Sequence, residues 1–348
     1  MRRKLLFVAL ISLSANCFGQ SQRKEGKNPL DELPPYIKRV THFGQRADFS
    51  HDGKRILFIE KTFGDVYEAD IATGTVRPMT HHYYHEGYVR TLYLANGDIL
   101  LAGARKFDAK DPVPSRKEFA ELWVLKKDLS APPVALGEYC YEGPAVSRKN
   151  MRLAWTTGGT TPDAAFYTGD IVYEDGTPKL KNKKKILDKR DLKDIMKYDI
   201  ETQNLRPPDE KELIFSAYGD EYKACEVAGL NIETGQVVNY SNAPQQYDEP
   251  EGIFPDGKYT LTECDKHNLK GTGSIDIYKL ALDGSGQTER LTFFADYPGY
   301  KSSNPVVSDD GRYMAFQYAQ KGDWAGVGRG IFIFDLQMYE EMKKSQRK

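Results

Sequence analysis

Cysteine, histidine and tryptophan are scarce in this chain, with 4, 6 and 3 residues among 348. No two cysteines stand in Cys-x-x-Cys spacing, so no zinc ribbon is encoded. An excess of one charge is missing too: 49 Lys and Arg face 50 Asp and Glu. That balance excludes the strongly basic surface of a general nucleic-acid binder. Long apolar runs are absent. Mean hydropathy is −0.61, and the longest candidate, Leu5 to Leu13, is too short to span a bilayer, which excludes a polytopic membrane protein. A Gly-x-Ser-x-Gly elbow is lacking, and with it the peptidase nucleophile. Gly326-x-Gly328-x-Gly330 lies between two strand-like runs with no helix after it, so it is not a nucleotide fingerprint. What the chain does have is 22 Tyr, 30 Gly and 40% hydrophobic residues, enough to bury a sizeable core.

The amino terminus reads as an address. Met1-Arg2-Arg3-Lys4 is cationic, the apolar run follows, and Ser14 to Gln20 is small and polar. This is the layout of a secretory signal peptide over residues 1–19, and it places the mature protein in the periplasm or outside the cell. Cys17 raises the alternative of a lipid anchor, although Asn16 replaces the small residue usual before a lipidated cysteine. Removal of 1–19 takes away three basic residues and no acidic ones, leaving a mildly acidic chain. Cys140, Cys225 and Cys264 remain, read as buried thiols or at most one disulfide. Residues 20–35 are polar, end in Pro34-Pro35, and read as a linker.

A repeat organises residues 36–336. Its clearest unit starts at Asp48-Phe49-Ser50-His51-Asp52-Gly53-Lys54 and runs on through Arg55 to Ile59. Val66 to Ile71, Ala72-Thr73-Gly74 and Val76 to Thr80 complete it. Four short β-type runs with tight turns between them predict a four-stranded antiparallel meander. Copies begin at Phe254-Pro255-Asp256-Gly257 and Val307-Ser308-Asp309-Asp310-Gly311, with weaker ones near Asn96-Gly97, Asn150 and Lys211. Turn anchors at 53, 97, 150, 211, 257 and 311 define six units, so the chain is expected to be an all-β, six-bladed β-propeller. The sixth unit lacks a last strand, and Ile37-Lys38-Arg39-Val40-Thr41 matches the closing Arg290-Leu291-Thr292 of the fifth. The N-terminal strand is therefore expected to close the ring and remove its open edge. Residues 337–348 form a polar, helical-looking tail.

Phe49-Ser50-x-Asp52-Gly53-Lys54-x-Ile56-x-Phe58, then Tyr67-x-x-Asp70-Ile71-x-Thr73-Gly74 and Arg77-x-x-Thr80, resembles the repeat of TolB-like propellers (WD40-like repeats). The resemblance covers nearly all of 36–336 and implies a propeller working as an envelope scaffold. TolB itself carries a further N-terminal α/β domain. Related blades occur in peptidases and in oligogalacturonate lyases, the latter with seven blades, so fold alone does not settle function.

Strand parity selects a face. Turns between first and second strands are tight, whereas four blades carry long loops between second and third strands: 103–120, 157–168, 265–274 and 319–330. Long loops on a rigid scaffold are where binding concentrates. The links between blades emerge on the same face and bring Glu86-Gly87, Glu142-Gly143 and Glu251-Gly252 to the channel rim. His81, His82, His85, Asp265 and His267 lie on that face as well. Together with the glutamates they could hold a divalent metal, or the glutamates could instead cap turns. Tyr88, Tyr141, Tyr247 and Trp324 add rings suited to a sugar face or a peptide. Lys179 to Lys197 is rich in lysine and reads as a solvated connection, or as a patch for an anionic glycan.

Two readings follow. The first is a non-catalytic exported propeller that binds a protein or glycan in the envelope. It needs no cofactor and uses Glu86, Glu142, Glu251, Tyr88, Tyr141, Tyr247 and Trp324. The alternative, implied by the lyase resemblance, is a metal-assisted polysaccharide lyase. There His82, His85 or His267 would be the base, with His81, His85, Asp265 and His267 as candidate metal ligands.

Overall fold

The computed structural model describes Lys24, residues 26–323 and residues 326–346. The expected signal segment 1–19, Cys17 and Trp324 lie outside the described residues. Six four-stranded antiparallel sheets are arranged around an axis, which is the expected six-bladed propeller. Their innermost strands are Gln45–Phe49, Arg90–Tyr93, Ala145–Val146, Asp199–Leu205, Asp248–Ile253 and Tyr300–Val307, in blades 1 to 6.

The turn signals work by local hydrogen bonding. In blade 1 the Ser50 hydroxyl donates to Asp52 Oδ1 at 2.6 Å, Lys54 N–H donates to the same oxygen at 3.1 Å, and Gly53 takes φ +66°. Blade 6 repeats the device with Ser308, Asp310, Arg312 and Gly311. Only a residue free of Cβ strain adopts that φ cheaply, so the glycine recurs.

The threonine that closes each repeat has an equally local task. Thr80 Oγ1 accepts the N–H of Val66 at 3.0 Å, and Thr292 Oγ1 accepts that of Ile277 at 2.8 Å. In both blades that N–H belongs to the third strand or its first residues. Ring closure uses the same bond: Ile37–Arg39 pairs antiparallel with Ile331–Asp335, and Thr41 Oγ1 accepts from Ile331 N–H at 2.9 Å. Arg39 Nε donates to Thr41 O and Arg290 Nε to Thr292 O, each at 3.0 Å. The similarity of the two segments is thus a similarity of bonding.

Cores lie between adjacent blades. Phe49, Phe58, Ile56 and Ile331 fill the junction of blades 6 and 1, and Phe316, Phe332, Leu261 and Ile277 that of blades 5 and 6. Each fully buried side chain of this size contributes about 1.5–3 kcal/mol, so no single core has to serve the whole chain. Cys140, Cys225 and Cys264 are buried free thiols, and burial pushes the thiols of Cys140 and Cys225 well up.

Three expectations change. Thr177–Asp188 is a twelve-residue outermost strand of blade 3, so its lysines decorate a sheet edge instead of a connection. The third strand of that blade begins at Ala165, which shortens the loop expected over 157–168. The linker is docked at its end: Pro29–Glu32 forms a 3-10 turn, and Leu30, Leu33 and Tyr36 pack against blade 6. The tail is the helix Leu336–Gln346, with Tyr339 against Tyr36 and Phe334. Among the described residues no helix is long and apolar enough to cross a membrane.

Candidate functional site at the mouth of the channel

The innermost strands do not keep a regular pleat. Their ladders skip between Gln45 and Asp48, Thr202 and Asn204, Pro250 and Gly252, and Ser303 and Val306. Arg46 and Asn304 sit inside two of these bulges at φ +54° and +48°, and Glu142 precedes blade 3 at φ +59°. Such left-handed conformations in non-glycine residues cost of order 1 kcal/mol or more each, and they recur where a side chain has to be aimed. Here they line a cavity of about 490 Å³ on the face that carries the links and long loops.

One half of the mouth is cationic. Glu142 is held by Arg116 Nε at 2.8 Å, Arg46 Nη2 at 3.6 Å and Lys117 Nζ at 3.9 Å. Burial raises its carboxyl pKa, but Arg116, Arg46 and Lys117 more than offset this and keep it below the ordinary range. Arg116 and Lys117 come from the helix Pro112–Lys117 in the long loop of blade 2. Arg90 reaches across the axis to Glu251 Oε2 at 3.3 Å, and a Cβ on Gly143 would stand 2.8 Å from its Nε. Burial, then Arg116 and Arg90, lower the pKa of Arg46. Arg46 Nη1 and Arg90 Nε are buried without hydrogen-bond partners among the described residues.

The other half is acidic. Glu201, Glu249 and Glu263 form no ion pair among the described residues; their partners are hydrogen-bond donors. The Tyr218 hydroxyl lies 3.1 Å from Glu201 Oε2 and 2.5 Å from Glu249 Oε1. Tyr247 donates to Glu249, and Asn304 N–H to Glu263 Oε1 at 2.7 Å. The single Tyr218 proton is shared unequally between these two carboxyl groups, the shorter contact being to Glu249. Burial, then neighbouring glutamates, push Glu201 and Glu263 well above the usual carboxylate range and Glu249 up to about 7.

Between the halves, Asp199 accepts from Tyr222 at 2.7 Å and from Tyr141. Lys117 Nζ sits 3.1 and 2.9 Å from the two hydroxyls. Burial, joined by the charge of Asp199 and its hydrogen bonds, drives both phenols far above their ordinary values.

The structure brings four of the seven expected binding residues, Glu142, Glu251, Tyr141 and Tyr247, into this one cavity. Glu86 points away, with Tyr84 OH and Phe107 N–H as partners. Tyr88 is buried in the core between blades 1 and 2, near His85. His85 pairs with Asp65 at 2.9 Å, while His81 and His82 are exposed. His267, lowered to about 4 by burial and then Arg290, stacks on Tyr278 in blade 5, and Asp265 binds the backbone of Tyr247 and Gly271. These histidines do not share a site, and no group of three His, Cys, Asp or Glu among the described residues is arranged to hold a metal.

Sequence reasoning missed Arg46, Arg90, Arg116, Lys117, Asp199, Glu201, Tyr222, Glu249 and Glu263. A signal existed for some of them. Arg46, Arg90 and Asn304 each stand seven positions before a turn glycine, Gly53, Gly97 or Gly311. Tyr222 comes from the short loop of blade 4, which loop length alone passes over.

No protein-family model matches the chain, and no curated protein does. Solved structures do. Regucalcin, a calcium-binding protein from Agrobacterium tumefaciens, is similar at 11% identity and TM-score 0.51, over 85% of this chain and 94% of that one. An oligogalacturonate lyase from Vibrio parahaemolyticus is similar at 13% identity and TM-score 0.50, over 85% and 79%. TolB from Acinetobacter baumannii aligns at 17% identity and TM-score 0.45, over 86% and 67%. At these identities the likeness to regucalcin and the lyase is one of fold, the β-propeller.

Proposed function

We propose that the protein is an exported, non-catalytic propeller that captures a protein or glycan ligand in the upper mouth of its channel. The observation that carries this reading is the cavity itself: charged and polar side chains converge on it from all six blades, several of them aimed by strained backbone. For the two phenols, the hydrogen-bonding pattern favours donation over proton abstraction. Tyr141 and Tyr222 donate to Asp199 with raised pKa values, and a phenol so placed is a poor base. Export rests on the signal-like residues 1–19.

Capture is tested with immobilised protein against a glycan array and envelope extracts, comparing wild type with Val327→Trp and Thr272→Trp. Both positions line the cavity and are exposed, so the indoles narrow the mouth without disturbing its buried ion pairs. Loss of capture in both variants is expected; undiminished capture would move the site elsewhere. Intact mass of the envelope form should show a chain starting at Gln20.

A lyase reading keeps one observation in its favour: Arg46, Arg90 and Arg116 could neutralise a uronate carboxylate without a metal. Absorbance from unsaturated uronides released by purified protein would replace the capture reading with this one.

A further inference from the structure

The two halves of the mouth ask for opposite things. Blades 1 and 2 supply Arg46, Arg90 and Arg116, with Arg46 Nη1 and Arg90 Nε buried and without a partner among the described residues. Blades 4 and 5 supply Glu201, Glu249 and Glu263, which meet tyrosine hydroxyls and a backbone N–H. Arg90, Arg46 and Lys301 act on them only at longer range, without an ion pair among the described residues. An anionic ligand would leave the glutamates uncompensated, and a cationic one would leave the guanidinium N–H groups orphaned. A neutral sugar would answer the hydrogen bonds and neither charge. A buried polar group without its partner is costly, so each of these ligands forfeits part of what the cavity offers.

We propose that the mouth binds a zwitterion, with its carboxylate against Arg46 and Arg90 and its ammonium among Glu201, Glu249 and Glu263. This deepens the capture reading and rests on it. The tyrosines fit the role: Tyr218 and Tyr247 fix the glutamate oxygens through their hydroxyls. A cavity of about 490 Å³ admits an amino acid, or the end of a chain that carries both charges close together. Burial and the neighbouring carboxylates raise the pKa values of these glutamates, so a proton is the alternative to an ammonium there. The ligand therefore competes with protons, and its affinity must rise with pH.

The experiment is titration calorimetry on the full chain with 6-aminohexanoate, hexanoate and hexylamine as probes. A lysine-terminated, N-acetylated peptide is the chain-end counterpart. 6-Aminohexanoate should bind about ten-fold or more tightly than either singly charged analogue, because it gains a second charge-assisted contact. Its affinity should rise between about pH 6 and pH 8, with proton release visible in buffers of different ionisation enthalpy. This measurement needs no variant, so a misfolded mutant cannot obscure it. Glu263→Gln should weaken 6-aminohexanoate about ten-fold and leave hexanoate unchanged, and Arg46→Met should weaken both and spare hexylamine. Tighter binding of the peptide would assign the site to chain ends, and tighter binding of 6-aminohexanoate to free zwitterions.

Equal affinity for the three probes, absence of binding by folded protein, or affinity independent of pH would overturn the proposal. In each case loss of glycan or protein capture in Val327→Trp would still uphold the site. Undiminished capture there would remove the site and the zwitterion together.

Discussion

The channel has two ends, and they treat charge differently. The lower end, on the face of the tight turns, holds a cavity of about 300 Å³ lined by apolar residues such as Leu92, Val146, Leu205, Ile253 and Val306 and by polar and charged ones in similar number, and it shares Arg90 and Glu251 with the upper mouth. Its central charges are matched. Arg148 of blade 3 crosses the ring to Asp309 of blade 6 at 2.8 Å, to Phe49 O at 2.8 Å and to Asp48 at 3.3 Å. His51 completes the set, with Nδ1 2.8 Å from Asp309 and Nε2 2.9 Å from Leu94 O. Both ring nitrogens face acceptors, and the bond to Asp309 raises the His51 pKa. At the upper end three carboxylates form no ion pair and two guanidinium nitrogens find no acceptor among the described residues. The difference separates a clamp that holds opposite blades together from a mouth kept incomplete for something else.

The largest effect should come from breaking the clamp. Arg148→Met leaves Asp48, already pushed up by burial, without its cation and Phe49 O without a donor. Loss of one partner of a buried pair costs about 3 kcal/mol, and chemical denaturation should register it while ligand capture at the upper mouth persists. An equal loss of capture would mean that the two ends are not separate.

At the upper mouth the same kind of change should have the opposite sign. Burial and then Glu251 push the Glu249 carboxyl up to about 7, above its unfolded value of about 4.3. The folded state then binds the proton more tightly, so stability falls as pH rises from the unfolded value through about 7. Glu249→Gln removes that penalty. It should be near neutral at pH 4 and stabilising by about 2–3 kcal/mol at pH 8, less whatever its coupled neighbours absorb. His51 contributes a slope of the same sign, lost as pH rises through its raised pKa. The measurement is therefore the difference between variant and wild type across pH, not either curve alone. A difference that stays flat would mean Glu249 is ionised and the acidic half already satisfied.

Much of the fold was legible because its signals are local. The Ser50-Asp52-Gly53 turn bonds groups a few residues away, and the threonines at 80 and 292 satisfy N–H groups of their own blade, so their spacing survives in sequence. Ring closure was legible for the same reason, since Thr41 repeats what Thr292 does. The face of the site followed from strand parity. Its residues followed only in part, because bulges decide which side chains enter the channel. Glu142 and Glu251 do enter, and Glu86, also followed by glycine, does not. Glu201, Glu249 and Arg46 become a site only when distant blades meet on the axis, which no local pattern records.

A smaller effect tests whether the closing threonine is as local as the geometry indicates. Thr41→Val keeps shape and removes the acceptor for Ile331 N–H at the seam of the ring. The hydroxyl also donates to Phe43 O at 2.7 Å, and losing both bonds should cost about 1–2 kcal/mol. Thr292→Val should cost more, because its hydroxyl also donates toward Asp276 and meets Ser302. Denaturant midpoints of the two variants at equal m-value would check the ranking, and a reversed order would make the seam the weaker part of the ring.

The smallest effect is expected at Glu86, whose sequence context matches that of Glu142. Glu86 bonds Tyr84 OH and Phe107 N–H on the outer surface, and no cation pairs with it among the described residues. Glu142 lies under Arg46, Arg116 and Lys117. Glu86→Gln keeps an acceptor for both donors and should leave the thermal midpoint and ligand capture unchanged. Glu142→Gln frees three cations in a buried mouth, so it should lower the midpoint and raise affinity for a singly charged carboxylate such as hexanoate. If Glu86→Gln impaired capture instead, the binding surface would extend over the rim toward blade 2, and the contrast between a matched clamp and an unmatched mouth would no longer locate function.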